Sequence, residues 1–199
     1  MRVRLFVAVR ISPSALSGFD RRSLESSAVA LRWVSPENWH ITLHFLGERG
    51  ETEVPSLCSA LRAALHQSAI APFSVEFAGL GSFPRPIRTR VLWAGVGSGR
   101  EELGRLADCV RQTLAGPEAA NGSWAAHLTL ARVAGQATLD LEAPIRRARQ
   151  SLWGRQWVDH VELIQSELLF GGARYTTLVS FGLRARWSTV RSGNPRQDA

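Results

Sequence analysis

The order of apolar and polar positions along the chain predicts alternating strands and helices. Within residues 2–9, every position from 5 to 9 carries an apolar side chain, which is typical of a strand covered on both faces. Further strands are predicted by period-two alternation, and helices by apolar positions three and four residues apart. The predicted extended segments are residues 2–9, 31–34, 39–46, 73–83, 90–96, 124–133, 157–169 and 175–183, and the predicted helices are residues 12–30, 51–67, 101–114 and 139–152.

Turn residues between these segments indicate the fold class. Gly171 and Gly172 mark a hairpin, and Pro84 with Pro86 marks a loop between two strands. Strands joined by hairpins, combined with helices, predict an α+β fold and not a purely parallel sheet. We expect one domain over residues 1–187 and a polar, disordered tail over residues 188–199.

The charge balance narrows the class of partner. The chain has 199 residues and a formal net charge of +7, and every cation is an arginine because the sequence contains no lysine. A positive chain favours anionic partners such as phosphates or nucleic acid, although an ordinary basic surface would give the same balance. Cys58 and Cys109 lie in helical patterns without ligand clusters, so free thiols are expected instead of a disulfide or metal site.

The apolar runs do not predict a membrane segment. The run near the N-terminus, from Leu5 to Val9, is flanked by arginines and is far shorter than the roughly 20 residues that a membrane span needs. It is also shorter than the apolar part of a secretory signal. We therefore expect no membrane partner and a cytoplasmic location.

One short pattern with chemical potential occurs twice. His40 and Thr42 alternate with aliphatic residues in one predicted strand, and His127 and Thr129 do so in another. Because residues i and i+2 of a strand share a face, each strand presents a histidine beside a threonine. The duplication suggests two similar lobes that face each other across a cleft.

Two histidines in one cleft suit phosphodiester cleavage. A neutral imidazole accepts a proton from water while an imidazolium protonates the leaving oxygen, and threonine hydroxyls bind the phosphate oxygens. This chemistry needs no metal. A zinc site at His40 and His44 is disfavoured, because residues four apart on a strand lie roughly 13 Å from each other. Moreover, Ile41 stands where a metalloprotease helix carries its glutamate.

The two motifs lie in a wider sequence context that resembles a known superfamily. Residues 32–40 lead into the first motif and residues 45–48 follow it, and further matching stretches occur at residues 4–8, 83–96 and 166–175. This context resembles the two-histidine (2H) phosphoesterase superfamily. More narrowly, it resembles the bacterial and archaeal RNA 2′,3′-cyclic phosphodiesterases, formerly called 2′-5′ RNA ligases. The resemblance covers about residues 2–184.

The resemblance implies a monomer with two pseudo-symmetric lobes, each an antiparallel sheet with helices packed outside, around a central cleft. It also implies hydrolysis of RNA or oligonucleotide 2′,3′-cyclic phosphate ends to 2′-phosphomonoesters without a cofactor. In this family His40 is the expected proton donor to the departing 3′ oxygen and His127 the expected acceptor from water. Thr42 and Thr129 are expected to hold phosphate oxygens.

The family pattern also includes an arginine five positions after the second histidine, and Arg132 occupies that position. Strict alternation places Arg132 on the face opposite His127, so its assignment to the site requires a strand end or a bulge. Alternation likewise predicts that His44 shares the face of His40, at the cleft rim or in a structural position. By the same rule Phe45 points away into the core.

Other residues have weaker assignments. Tyr175, the only tyrosine, matches a family position without a known role, and most of the tryptophans are expected to be core residues. Arg146, Arg147, Arg149 and Arg155 are expected to form a solvated face, with contact to an RNA backbone as the alternative. Two functional alternatives stay open. One is a non-catalytic nucleotide- or RNA-binding module, and the other is 2′-5′ RNA ligation, which would use the same residues in reverse.

Overall fold

The computed structural model describes residues 1–22, 24, 31–116, 124–135, 137–169 and 172–184. In this part of the chain the strands are β1 (Arg2–Arg10), β2 (Leu31–Trp33), β3 (His40–Gly50), β4 (Phe73–Phe83), β5 (Val91–Val96), β6 (His127–Val133), β7 (Leu152–Val158), β8 (His160–Leu169) and β9 (Gly172–Gly182). The α-helices are α1 (Val54–Ser68), α2 (Arg100–Ala115) and α3 (Glu142–Arg147).

The strands form two antiparallel sheets. The first sheet has the order β3-β1-β8-β9 and the second has the order β2-β6-β5-β4-β7. The chain crosses from the first sheet to the second and back. β1 and β3 are paired in the first sheet, whereas β2, which lies between them in sequence, belongs to the second. The last two strands return to the first sheet. The α+β prediction is confirmed, with one His-x-Thr motif in each sheet.

The first strand shows how the sheets position the site. Val3, Leu5, Val7 and Val9 of β1 are buried in the main core, whereas Phe6 and Ala8 on the opposite face pack with Ile164 in a separate small cluster. Both faces are therefore covered, as the unbroken apolar run predicts. The face that carries Phe6 is the one on which His40 lies.

Two of the α-helices contact the first sheet, and the third contacts the second sheet. α1 and α2 pack against each other, with α2 contacting β3 and α1 contacting β9, while α3 contacts β4. α2 begins after Gly99, whose φ is +81°. A Cβ at this position would lie 2.4 Å from the backbone oxygen of Ser74, so the loop before α2 needs glycine.

The predicted helix over residues 12–30 is wrong within the described residues. Pro13–Leu16 forms a single 3-10 turn, and the backbone N–H of Gly18 donates to the oxygen of Trp153 at 2.8 Å. Ser12, Ser14 and Ser17 in this segment favour turns, because serine hydroxyls compete for backbone hydrogen bonds. Docking onto β7 thus replaces helical hydrogen bonding. Residues 23 and 25–30 lie outside the described residues.

The prediction over residues 139–169 is also partly wrong. The helix is confined to Glu142–Arg147, and the predicted single strand is two strands that separate at Asp159 and belong to different sheets. β7 is an edge strand on which Leu152 and Trp157 are exposed while Val158 is buried, so only some of its apolar residues mark a buried face. Gly154, at φ +143°, lies so close to the Ala15 backbone that no side chain fits.

Two sequence predictions about the chain as a whole meet the structure only in part. None of the helices in the described ranges is long and apolar enough to cross a membrane. The tail predicted over residues 188–199 lies outside the described residues.

Candidate active site

His40 stands at the first position of β3, where its backbone pairs with Arg10 of β1. Its ring Nδ1 lies 2.7 Å from the backbone oxygen of Asn38, so Nδ1–H donates to that carbonyl and Nε2 is left for chemistry. The imidazole packs against two aromatic rings. Its centroid is 5.0 Å from that of Phe6 and 5.2 Å from that of Tyr175.

His127 has the same surroundings in the second sheet. It stands at the first position of β6 and pairs with Gly95 of β5. Its Nδ1 lies 2.9 Å from the backbone oxygen of Ala125, which again leaves Nε2 for chemistry. Its ring centroid is 5.0 Å from that of Phe83 and 6.1 Å from that of Trp93. Both imidazoles are thus fixed by a carbonyl two residues earlier and by two aromatic rings.

The two motifs meet at one place in the molecule. The indole N–H of Trp124, three residues before His127, donates to the backbone oxygen of Thr42 at 3.0 Å. β3 also contacts β6 directly. The charge of His127 acts on His40, and the charge of Arg132 acts on both imidazoles. The structure therefore brings the two histidines, which are distant in sequence, to a shared cleft.

Burial sets the proton affinity of both imidazoles. Desolvation lowers the pKa of His40 below its ordinary value, and the positive charges of Arg10, His127 and Arg132 lower it further. The pKa of His127 is lowered in the same way, first by burial and then by Arg132. The hydrogen bonds to the Asn38 and Ala125 carbonyls act in the opposite direction. In the unliganded cleft both imidazoles therefore favour the neutral form.

A β-bulge follows the threonine in each motif. In the pairing of β1 with β3, Ala8 opposes Thr42 and Val7 opposes His44, so Leu43 is the extra residue. In the pairing of β5 with β6, Trp93 opposes Thr129 and Leu92 opposes Ala131, so Leu130 is the extra residue. A bulge of one residue shifts every later side chain to the other face of the sheet.

The bulge at Leu130 places Arg132 on the face of His127. Arg132 is exposed while Ala131 and Val133 beside it are buried. The bulge that the sequence pattern required for Arg132 is therefore present. The charge of Arg132 lowers the pKa of both imidazoles.

The bulge at Leu43 overturns two predictions. His44 pairs with Val7 on the core-facing side and therefore does not share the face of His40. Phe45 pairs with Phe6 on the face that carries the His-x-Thr side chains, which we call the motif face. Phe45 is 65% exposed instead of buried. Both errors have the same cause, because the bulge at Leu43 interrupts the strict alternation of side chains between the two faces.

Phe45 is the site residue that the alternation pattern missed. Its ring centroid lies 5.9 Å from that of Phe6, which is only 2% exposed and itself packs on His40. Phe45 stands five positions after His40, as Arg132 stands five positions after His127. This equal spacing indicates that Phe45 belongs to the site, because a bulge that is required in one motif is also expected in its duplicate.

The curl of the first sheet closes one wall of the cleft. β3 and β9 are the two edge strands of this sheet, yet the side-chain amide of Asn38 donates to the backbone oxygen of Ala173 at 3.3 Å. Beside this bond the Tyr175 ring meets the His40 ring edge to face. The hairpin of β8 and β9 thereby holds the first histidine from the far side of the sheet.

Several other titratable candidates have ion-pair partners of their own. His160 contacts Asp159 at 2.5 Å and Glu162 at 3.3 Å, and Arg155 pairs with Glu76 at 3.5 Å. Cys58 and Cys109 are free and half-buried. Within the described residues, no three His, Cys, Asp or Glu side chains lie together as a metal ion would require.

Comparison with known proteins places the chain in a family. Two sheets with one His-x-Thr motif each define a phosphoesterase of the two-histidine class, and residues 19–93 match the model of the family described as LigT like Phosphoesterase. The Aeropyrum pernix RNA 2′,3′-cyclic phosphodiesterase is 35% identical over 161 residues, which are 79% of this chain and 89% of that protein. The Archaeoglobus fulgidus protein of the same name is 34% identical over 90% of this chain and 99% of its own length.

Solved structures agree with these relatives. A Thermus thermophilus crystal structure, 30% identical, superposes with a TM-score of 0.71 over 92% of this chain and 99% of its own. Escherichia coli LigT complexed with 3′-AMP, at 24% identity and a TM-score of 0.68 over 92% of this chain and 99% of its own, shares the fold. The chain belongs to the LigT-like phosphoesterase family.

Proposed function

We propose that this protein hydrolyses RNA 2′,3′-cyclic phosphate ends to 2′-phosphomonoesters without a metal ion. The observation that carries the proposal is the matched pair of imidazoles, His40 and His127, each fixed through Nδ1 by a backbone carbonyl two residues earlier, which leaves Nε2 for chemistry. The relatives named RNA 2′,3′-cyclic phosphodiesterase support the substrate class.

The reaction follows from the two protonation states of imidazole. Neutral His127 accepts a proton from water as the water oxygen forms a bond to phosphorus. The bond from phosphorus to the 3′ oxygen breaks, and protonated His40 gives its proton to that oxygen. The product carries a 2′-phosphate and a free 3′ hydroxyl. Each positioned proton transfer contributes roughly 10² to 10⁴ in rate.

Three further side chains are assigned to the phosphate. The hydroxyls of Thr42 and Thr129 lie on the motif faces, two positions after their histidines, and donate to the non-bridging oxygens. Arg132 returns to this face after its bulge and offers a guanidinium that binds two oxygens at once. These donors stabilise the negative charge that grows as water attacks.

Phe45 is assigned to the base of the terminal nucleotide. Its ring is exposed on the motif face, next to the ring that packs on His40. Exposed aromatic rings stack on nucleobases with little preference for sequence. This assignment gives the first lobe the base and the 3′ oxygen, and the second lobe the water and the phosphate charge.

Substrate binding changes the protonation of the cleft. Burial and nearby arginine charges hold both imidazoles towards the neutral form in the free protein. A bound phosphate brings a negative charge beside His40, which raises the pKa of this imidazole and favours the proton that the leaving oxygen needs. The acid therefore becomes charged when the substrate is in place.

The proposal extends to the state and place of the protein. Both motifs come from one chain, which supports action as a monomer. The proposal also includes a cytoplasmic location. The same groups would carry 2′-5′ ligation if an RNA 5′ hydroxyl took the place of water, because His127 would then deprotonate that hydroxyl.

A direct assay distinguishes hydrolysis from binding alone. Purified protein is incubated with an oligonucleotide that ends in a 2′,3′-cyclic phosphate, in the presence of a chelator, and the products are separated by chromatography. We expect turnover to a 2′-monophosphate. Binding without turnover would instead support the non-catalytic module, and loss of turnover with chelator would contradict a mechanism without metal.

A further inference from the structure

Arg32 stands directly opposite Arg132 in the second sheet. In the antiparallel pairing of β2 with β6, Leu31 opposes Val133, Arg32 opposes Arg132 and Trp33 opposes Ala131. Residues opposite each other in such a pair share a face. The bulge at Leu130 that turns Arg132 towards the cleft therefore fixes the same face for Arg32.

The burial of β2 supports this orientation. Leu31 is buried in the core and Trp33 packs against it, whereas Arg32 between them is exposed. β2 is an edge strand of the second sheet, so Arg32 lies on the rim, beyond Arg132 as seen from the rest of the sheet. The backbone N–H of Val34 holds this edge in place by donating to the oxygen of Leu130 at 2.8 Å.

Neither arginine has an acidic partner in the described part of the chain. The ion pairs of that part involve Arg2, Arg10, Arg22, Arg105, Arg111, Arg155 and Arg174, but not Arg32 or Arg132. Like charges that face each other across two strands destabilise the pair. Two neighbouring guanidinium groups beside a phosphate site therefore favour a ligand that carries more negative charge than a single phosphate group.

We propose that Arg32 forms a second phosphate subsite, which binds the phosphodiester preceding the terminal nucleotide of the RNA. The proposal rests on the proposed function, since Arg132 is assigned to the reacting cyclic phosphate. Opposed Cα atoms of an antiparallel pair are about 4.5 to 5.5 Å apart. Two arginine side chains that start this close together can each bind a separate phosphate of one strand. Adjacent arginines therefore suit adjacent phosphates.

The subsite makes the protein selective for oligonucleotides over mononucleotides. A 2′,3′-cyclic mononucleotide has only the reacting phosphate and leaves Arg32 without a ligand. A dinucleotide with a cyclic end has one linking phosphodiester, which Arg32 contacts. Replacing that linkage by an uncharged methylphosphonate removes the charge while keeping both nucleosides.

The experiment compares these three substrates in three proteins. Arg32→Ala removes the subsite. Arg105→Ala, on the exposed side of α2, removes the same charge far from the cleft and serves as the control. We expect Arg32→Ala to lower kcat/KM about tenfold on the phosphate-linked dinucleotide. On the mononucleotide and the methylphosphonate, values should stay within about twofold.

Salt dependence gives a second readout. One lost phosphate contact reduces the slope of log(kcat/KM) against log salt by about 0.7 for a single strand. Arg32→Ala should show this reduction on the phosphate-linked dinucleotide alone, and Arg105→Ala should show none. Arg32→Lys, which keeps the charge without the planar fork, should restore part of the activity.

Several results would overturn the subsite. Equal losses on all three substrates would mean that Arg32 acts at the reacting phosphate or in the fold, which circular dichroism and Arg32→Lys would distinguish. Equal activity of Arg32→Ala and the parent on the dinucleotide would mean that Arg32 binds no phosphate. If the parent turns over none of the substrates, the proposed function fails. Fluorescence-monitored binding of the same dinucleotides then tests the subsite, with the same preference for the charged linkage expected.

Discussion

Leu43 and Leu130 occupy equivalent positions, because each is the extra residue of a bulge that directly follows a motif threonine. Each bulge brings the side chain five positions after the histidine back to the motif face. In one lobe this side chain is Phe45 and in the other it is Arg132. One backbone irregularity, used twice, thus adds an aromatic ring to one wall of the cleft and a cation to the other.

Replacing either motif histidine should abolish turnover. His40→Ala removes the proposed proton donor and His127→Ala removes the proposed acceptor, so each should lower kcat by about 10² or more. His44→Ala is the matched control, since the bulge places His44 on the opposite face and its activity should stay within a few-fold of the parent. Steady-state kinetics with circular dichroism checks this. A His40→Ala protein that retains most of its activity would contradict the assignment.

The pH dependence should differ between the free protein and the complex. Burial lowers the pKa of His40 and His127 below the ordinary histidine value of about 6.5. As the pH rises, kcat/KM should therefore fall at a pH below about 6.5, where His40 loses its proton. The decline of kcat with rising pH should occur at a higher pH than the decline of kcat/KM, because bound phosphate raises the pKa of His40. Rate profiles between pH 4.5 and 8.5 measure both declines. Coincident declines would show that the substrate does not tune the acid.

Removing the Arg132 charge should raise the pKa of both imidazoles, because a nearby cation opposes their protonation. Arg132→Gln should shift the NMR titrations of His40 and His127 to higher pH and lower kcat/KM by about tenfold or more. Arg105→Gln should change neither. An unchanged titration in Arg132→Gln would place the guanidinium away from the cleft.

Phe45→Ala should weaken substrate binding without unfolding the protein. Base stacking on an aromatic ring contributes about 1 to 3 kcal/mol, so kcat/KM should fall by about tenfold. Because the side chain is 65% exposed, the free energy of unfolding should change by only about 0.5 kcal/mol. Phe45→Trp should retain activity, whereas Phe45→Leu should behave like Phe45→Ala. Full activity of Phe45→Leu would argue against stacking.

Gly81→Ala should disturb the surroundings of His127. A Cβ at this position would lie 2.1 Å from the Trp93 ring, which itself contacts His127. Overpacking of this kind costs about 1 to 3 kcal/mol, and the displaced indole should lower kcat. Gly104→Ala in α2, where nothing lies within 4 Å of the new Cβ, should stabilise the protein by about 0.5 to 1 kcal/mol. Thermal unfolding and kinetics of both variants test the comparison.

Periodicity predicted the strands that carry the two motifs, because one face of each is buried by aliphatic residues such as Ile41 and Leu128. Periodicity failed where a bulge shifts the alternation and where an element depends on contacts with distant parts of the chain. The bulge at Leu43 is invisible in the apolar pattern, since both Leu43 and the residues around it suit a strand. The 3-10 turn at Pro13–Leu16 and the edge strand β7 depend on contact with each other, which no local pattern contains.

The convergence of the motifs was predicted from their duplication, but the details that hold them were not. The carbonyls of Asn38 and Ala125 and the indole of Trp124 are fixed by segments that come together only in the folded chain. Arg32 likewise gains its place through pairing with β6.

The bond from Asn38 to Ala173 has a consequence for the order in which the protein matures during translation. The ribosome completes His40 long before it reaches the β9 residues that brace it. A nascent chain that ends before β8 therefore has a His40 without these contacts and an unpaired edge on β1. A chain shortened before β8 should therefore be less active towards RNA than the full chain.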